Sequence, residues 1–148
     1  MSITYKLELG APVAPKAVVS AMVAAGSGAV DRHEGTKGTL RGGGWFDVDV
    51  AEYDPPDPVE EQFGFAPTIE AYFGLSKTGD FEAQETDAFR LVVAVLAAIP
   101  GDALLHFEHD EVWLLRRNGE LTVNDSLWKP AQLALLPWPY QRAHLAFS

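Results

Sequence analysis

The sequence feature that most constrains the fold is an uninterrupted run of nine apolar residues, Leu91 to Ile99. Thr86 can cap the start of a helix and Asp87 suits its first turn, whereas Pro100 and Gly101 stop a helix. These residues predict a helix from about 86 to 99. A helix that is apolar nearly all round has to be buried, and the run is far shorter than the ~20 residues that span a bilayer. We therefore expect a central buried helix and no membrane segment.

Short strands are predicted on both sides of this helix, because apolar and polar residues alternate between turn signals. They are Ile3 to Leu9, Trp45 to Tyr53, Thr68 to Leu75, Ala103 to Glu108, Val112 to Arg117 and Glu120 to Val123, with a weak strand at Thr39 to Arg41. Asn118-Gly119 predicts a type I′ hairpin turn, which needs positive φ at both positions. In the strand from Trp45, alternation predicts that Val50 faces inward and that Asp47 and Asp49 face solvent.

The remaining segments complete an α+β pattern. Shorter helices are predicted at Lys16 to Ala25 and Ala131 to Leu135, Asp54 to Pro58 is predicted to be an extended connection, and Tyr140 to Phe147 fits either a strand or a helix. Short turns between neighbouring strands imply antiparallel pairing. With only 148 residues, two independent cores would each be marginal. The predicted fold is one α+β domain, a mainly antiparallel sheet with two main helices packed on one face.

Negative charge is concentrated in one part of the chain. Residues 42–76 contain no Lys or Arg and eight acidic residues, which account for −8 of the net charge of −10. These acids are Asp47, Asp49, Glu52, Asp54, Asp57, Glu60, Glu61 and Glu70. One interpretation is a solvated surface kept soluble by charge. The other is a docking surface for a basic partner, because charge complementarity speeds encounter and suppresses wrong partners.

Composition excludes several classes of function. A pI near 4.7 argues against direct binding to nucleic acid or to anionic lipid. The absence of cysteine rules out disulfides, thiolate metal sites and thiol nucleophiles. Lys6 and Glu8 interrupt any apolar leader, so a cytoplasmic location is expected. No motif assembles a nucleophile, a base and an oxyanion donor, so we expect a protein that is not an enzyme and needs no cofactor.

The alternative interpretation is a small metal-binding protein or metal-dependent enzyme that uses His106, Glu108 and His109. On a strand, His106 and Glu108 would share a face, and His109 could reach the same point from the following turn. Three such ligands suffice for a catalytic zinc ion. No second cluster supplies further ligands, which weakens this interpretation.

Two neighbouring segments, Pro100 to Phe107 and Val112 to Leu121, resemble the Sit-type immunity proteins, which neutralise swarming-inhibition lipoprotein toxins that myxobacteria pass between kin cells. The resemblance extends over most of the chain and is weakest in Gly35 to Gly44 and in the proline-rich acidic stretch. It implies a non-enzymatic cytoplasmic protein that binds a toxin domain. It provides no binding residues.

Charge and resemblance together predict where a toxin would dock. A toxin domain that attacks nucleic acid has a basic cleft, to which clustered carboxylates are complementary. The predicted docking acids are Asp47, Asp49, Glu52, Asp54, Asp57, Glu60 and Glu61, and the predicted apolar anchors are Tyr53, Phe63 and Phe65. Aromatic anchors inside a polar rim carry most of the binding energy of typical interfaces.

Overall fold

The computed structural model describes residues 2–26, 28–52, 54–107 and 110–147. In this part of the chain there are nine strands: β1 (Ser2–Gly10), β2 (Val30–Glu34), β3 (Lys37–Leu40), β4 (Trp45–Val50), β5 (Ile69–Ser76), β6 (Asp102–Phe107), β7 (Glu111–Arg117), β8 (Glu120–Asn124) and β9 (Gln141–Ala143). The four helices are α1 (Pro15–Ala25), α2 (Pro58–Phe63), α3 (Phe81–Ala98) and α4 (Pro130–Leu133). No helix among the described residues has the length and apolar character that crossing a bilayer requires.

The strands form one open sheet in the order β2-β3-β4-β5-β1-β6-β7-β8-β9. Every neighbouring pair is antiparallel except β8 and β9, which are parallel. The α+β prediction is therefore confirmed. The predicted hairpin turn is also confirmed, because Asn118 and Gly119 join β7 to β8 with φ values of 52° and 80°.

Helices α1 and α3 pack against each other and on one face of the sheet, the helix face. Alternate residues of β1, namely Tyr5, Leu7 and Leu9, are buried there with the apolar side of α3. Helix α3 is buried along most of its length, as the run from Leu91 predicts. Its predicted start at Thr86 is wrong. Asp80 caps the helix six residues before Thr86 by accepting a hydrogen bond from the backbone N–H of Ala83.

Helix α2 is absent from the sequence prediction, although its signals are present. The Asp57 carboxylate accepts hydrogen bonds from the backbone N–H groups of Val59 and Glu60, and Pro58 occupies the first turn. Gly64 ends the helix in the left-handed conformation, with φ of 84°. The sequence therefore carries three signals for this helix: Asp57 as its N-cap, Pro58 as its first residue and Gly64 as its C-terminal cap.

The other differences concern weak strands. β2 is not predicted from the sequence, and the weak strand expected at Thr39 to Arg41 runs from Lys37 to Leu40. The ambiguous C-terminal segment contains β9. All three strands are short, β2 and β9 are mostly exposed, and β3 has a single buried residue, Leu40, so they lack the apolar alternation on which the prediction depends.

The opposite side of the sheet, the second face, is only partly covered. A smaller core of Val59, Phe65, Leu104 and Val112 lies there, with Phe63, Leu115, Leu145 and Phe147 packed around it. Helix α2 and the C-terminal residues thus cover β6 and β7. The part of the second face formed by β3, β4 and β5 carries the exposed Trp45 and Asp49, and no described element covers these two residues.

Candidate docking surface

Three carboxylates lie side by side across the second face. The strand register places Asp49 of β4 opposite Glu70 of β5, and Glu70 opposite Glu8 of β1. Lys6 Nζ lies 3.1 Å from Glu70 Oε1 and 3.6 Å from Glu8 Oε1. Asp49 is exposed and makes no ion pair or hydrogen bond within the described residues. The two carboxylates toward the centre of the sheet are therefore paired with Lys6 within the chain, whereas the outermost one has no such partner among the described residues.

The charge of Lys6 depends on these neighbours. Burial lowers the pKa of Lys6, but the carboxylates of Glu8 and Glu70 outweigh this effect, so its pKa lies above the ordinary value. Burial and the hydrogen bond from Tyr72 to Glu70 also raise the pKa of the Tyr72 hydroxyl. Lys6 is thus held as a cation and Tyr72 as a neutral donor.

Asp47 is partly used within the chain. Its Oδ2 lies 3.8 Å from Lys37 Nζ, and its Oδ1 is buried without a hydrogen-bond partner among the described residues. The Asp47 side chain is 25% exposed. Of the two predicted solvent-facing acids on β4, Asp49 is therefore the one fully available to a partner.

The acids that follow β4 also divide into two groups. The Asp57 carboxylate caps α2, and Glu60, half-buried in the first turn of that helix, has further interactions. Glu52, Asp54 and Glu61 are exposed, and the described residues supply no ion-pair partner to them. The Asp57 carboxylate is thus engaged in capping α2, whereas the carboxylates of Glu52, Asp54 and Glu61 remain exposed on the surface.

An open groove lies beside the exposed acids. Its volume is about 760 Å³, and its lining includes Asp49, Glu52, Glu70, Tyr72 and Lys6. Lys6 is the basic residue of this lining and is already shared between two carboxylates. The groove therefore has a net negative charge and is complementary to a cationic group.

The predicted aromatic anchors are not free on the surface. Phe65 is buried in the smaller core, and Phe63 is half-buried with its ring centroid 5.2 Å from that of Phe147. Their packing holds α2 against the sheet. Tyr53 lies outside the described residues.

Among the described residues, the exposed large apolar side chains are Val23 on α1, 45% exposed, and Trp45 and Val50 at opposite ends of β4, 40% and 65% exposed. Val50 pairs in register with the core residue Ile69, on the side that alternation predicts, but it is exposed because it is the last residue of its strand and the helices do not cover it. Trp45 and Val50 were not identified as candidate anchors from the sequence. The alternation of apolar and polar residues indicates to which side of a strand a side chain points, but it does not show whether another element covers that side.

The proposed metal ligands are only partly described. His106 is fully buried, and its Nε2 lies 2.8 Å from Glu8 Oε2, in hydrogen-bond contact. Glu108 and His109 lie outside the described residues. Among the residues that the structure describes, no three His, Asp or Glu side chains are grouped as a metal site. The metal hypothesis remains a prediction, which elemental analysis of untagged protein would test.

Comparison with known proteins identifies the family. A family model described as SitI3-like matches residues 3–132, from β1 to α4. No curated protein and no solved structure matches the chain. Because the match covers most of the sequence, the chain belongs to the SitI3-like family.

Proposed function

We propose that this protein is a non-enzymatic immunity protein that binds and neutralises a cognate toxin domain in the cytoplasm. The observation that carries the proposal is the SitI3-like match over residues 3–132, because this family suggests an immunity protein and hence a toxin partner. An inhibitor of this kind needs a rigid surface complementary to its target, and it needs no catalytic residues.

The surface we propose for toxin binding is the acidic docking surface, defined as Asp49, Glu52, Asp54 and Glu61. These four exposed side chains lack ion-pair partners within the described residues. A basic toxin domain, such as one that attacks nucleic acid, would supply those partners. Asp47, Asp57 and Glu60 lie beside this surface and add to its negative potential, although the chain partly uses them itself.

The apolar contribution to the interface is assigned to Trp45. It is exposed on β4 and lies on the same side of the strand as Asp49, whereas alternation places Val50 on the other side. Stable interfaces bury about 800 Å² on each partner and concentrate their binding energy in a few apolar anchors within a polar rim. Phe63 and Phe65 support the surface indirectly by fixing α2 to the sheet.

A growth assay tests the proposal. The chain is coexpressed with the toxin-like protein encoded beside its gene, and survival is measured. The double variant Asp49→Lys with Glu52→Lys is expected to abolish protection, because it replaces two unpaired anions with cations. It should not destabilise the fold, because residue 49 lies opposite Glu70, where a cation is favourable.

The matched control is Asp110→Lys with Asp125→Lys. These exposed acids lie outside the acidic window, and their reversal changes the net charge equally. We expect full protection from this control. Equal survival with the two double variants would contradict the assigned docking surface, and lack of protection by the wild-type chain would contradict an immunity function toward that toxin.

A further inference from the structure

A second cavity, the aromatic cavity, lies at the β7–β8 end of the sheet. Its volume is about 540 Å³, and it is lined by the end of α3, the β7–β8 hairpin and residues 138–141. Its apolar lining includes Leu96, Leu121, Trp138 and Tyr140. Ligand-binding pockets in proteins are typically 300–1,000 Å³ in volume and mostly apolar, with a few fixed polar groups. The cavity has the size and the lining of such a site.

Arg116 supplies the fixed polar group. Its Nε donates a hydrogen bond to the carbonyl of Gly101 at 2.7 Å, and its two terminal nitrogens donate to the carbonyls of Leu96 at 2.7 Å and Ile99 at 2.6 Å. A guanidinium has five N–H donors. Two of these donors are therefore without a hydrogen bond within the described residues, while the other three hold the group in place.

The charge of Arg116 is not neutralised by a carboxylate. No ion pair to Arg116 occurs in the described part of the chain, and its three acceptors are neutral carbonyls. The neighbouring Arg117 pairs with Asp102 on the other face of the sheet. Glu120 also lines the cavity, but its cross-strand partner is Arg117, and it makes no ion pair with Arg116 within the described residues. Burial lowers the pKa of Arg116, and Asp102 offsets part of this effect. An anion entering the cavity would compensate this half-buried charge.

We propose that the aromatic cavity binds a small aromatic carboxylate. The carboxylate accepts hydrogen bonds from the two remaining N–H groups of Arg116, and the ring packs against Trp138 and Tyr140. The aromatic part of the wall, residues 138–141, lies beyond the family match, which ends at residue 132. This site is separate from the acidic docking surface and does not depend on the proposed function.

Isothermal titration calorimetry with naphthoate and its neutral amide tests the site. The two probes have the same ring system and differ in charge. We expect naphthoate to bind the wild-type chain with one-to-one stoichiometry and about tenfold more tightly than the amide, because a charge-assisted hydrogen bond is roughly twice as strong as a neutral one. Absence of naphthoate binding, or equal affinity for the two probes, would overturn the proposal.

Two variants locate the binding. Arg116→Gln should reduce the affinity for naphthoate to that of the amide, whereas the matched change Arg117→Gln, on the opposite face, should leave it unchanged. Because Arg116 also binds the end of α3, circular dichroism is used to check its folding. Trp138→Ala provides an independent test, since it removes one aromatic wall of the cavity and should lower the affinity for both probes. Unchanged naphthoate affinity in folded Arg116→Gln or in Trp138→Ala would place the binding elsewhere and reject this site.

Discussion

The indole of Trp45 lies directly over the backbone of Gly74 on the neighbouring strand, so that a Cβ at Gly74 would come within 2.0 Å of Trp45 Cε2. The two residues are register partners of β4 and β5. Glycine is therefore required at this position because of the close approach of a large side chain. The contact fixes the orientation of the exposed aromatic residue that we assign to the toxin interface.

Gly74→Ala is expected to displace the Trp45 ring and to lower the free energy of unfolding by about 1–3 kcal/mol, as overpacking typically does. Chemical denaturation would measure the change. In the Trp45→Ala background the same substitution should cost much less, because the clash is gone. Equal costs in the two backgrounds would show that the indole does not lie over Gly74.

Replacing Asp57 distinguishes a structural carboxylate from a docking one. Asp57→Ala should destabilise the protein by about 1 kcal/mol because the cap of α2 is lost. Asp57→Asn removes the charge but preserves a good cap, so stability should be nearly unchanged. We expect Asp57→Asn to protect against the toxin almost as well as the wild type. Strong loss of protection with a stable Asp57→Asn protein would show that the charge itself contacts the toxin.

The stability of the fold should fall as the pH rises above about 10, the ordinary pKa of tyrosine. Burial, and then the hydrogen bond to Glu85, raise the pKa of Tyr5 far above that value. Tyr5 therefore keeps its proton in the folded state after it has lost it in the unfolded chain. The folded state binds more protons, so the free energy of unfolding decreases with pH in this range.

Denaturant titrations between about pH 8 and pH 11 would measure this decrease. Tyr5→Phe should give a less stable protein at neutral pH, because Glu85 loses a hydrogen-bond donor, but with a shallower dependence on alkaline pH. Tyr72 and Lys6, whose pKa values are also raised, would account for the remaining slope. An unchanged slope in Tyr5→Phe would show that Tyr5 does not cause the alkaline instability.

Association with the toxin should slow as ionic strength increases, because long-range attraction between exposed charges is screened beyond about 8–10 Å at physiological salt. Stopped-flow measurements at several salt concentrations would give the dependence of the association rate. The dependence should be much weaker for the variant in which Asp49 and Glu52 are each replaced by Gln. A salt dependence that survives this neutralisation would assign the attraction to other acids of the chain.

The sequence by itself determined the elements whose signals are local. The apolar run from Leu91 requires a buried helix wherever it lies in the fold, and Asn118-Gly119 forms its hairpin because both residues tolerate positive φ. The alternation in β4 likewise places Asp47 and Asp49 on the opposite side from Phe46. These features follow from side-chain periodicity and backbone sterics, which act over a few residues.

The tertiary structure decided which carboxylates remain free. Lys6 reaches Glu8 within its own strand, but it reaches Glu70 only because β1 and β5 are neighbours in the sheet. Val50 is exposed because the helices that cover this side of β4 do not extend over the last residue of the strand. The order of the strands, and which parts of the sheet the helices cover, arise from contacts between residues far apart in the chain. The local sequence therefore shows which residues are charged but not which residues they pair with.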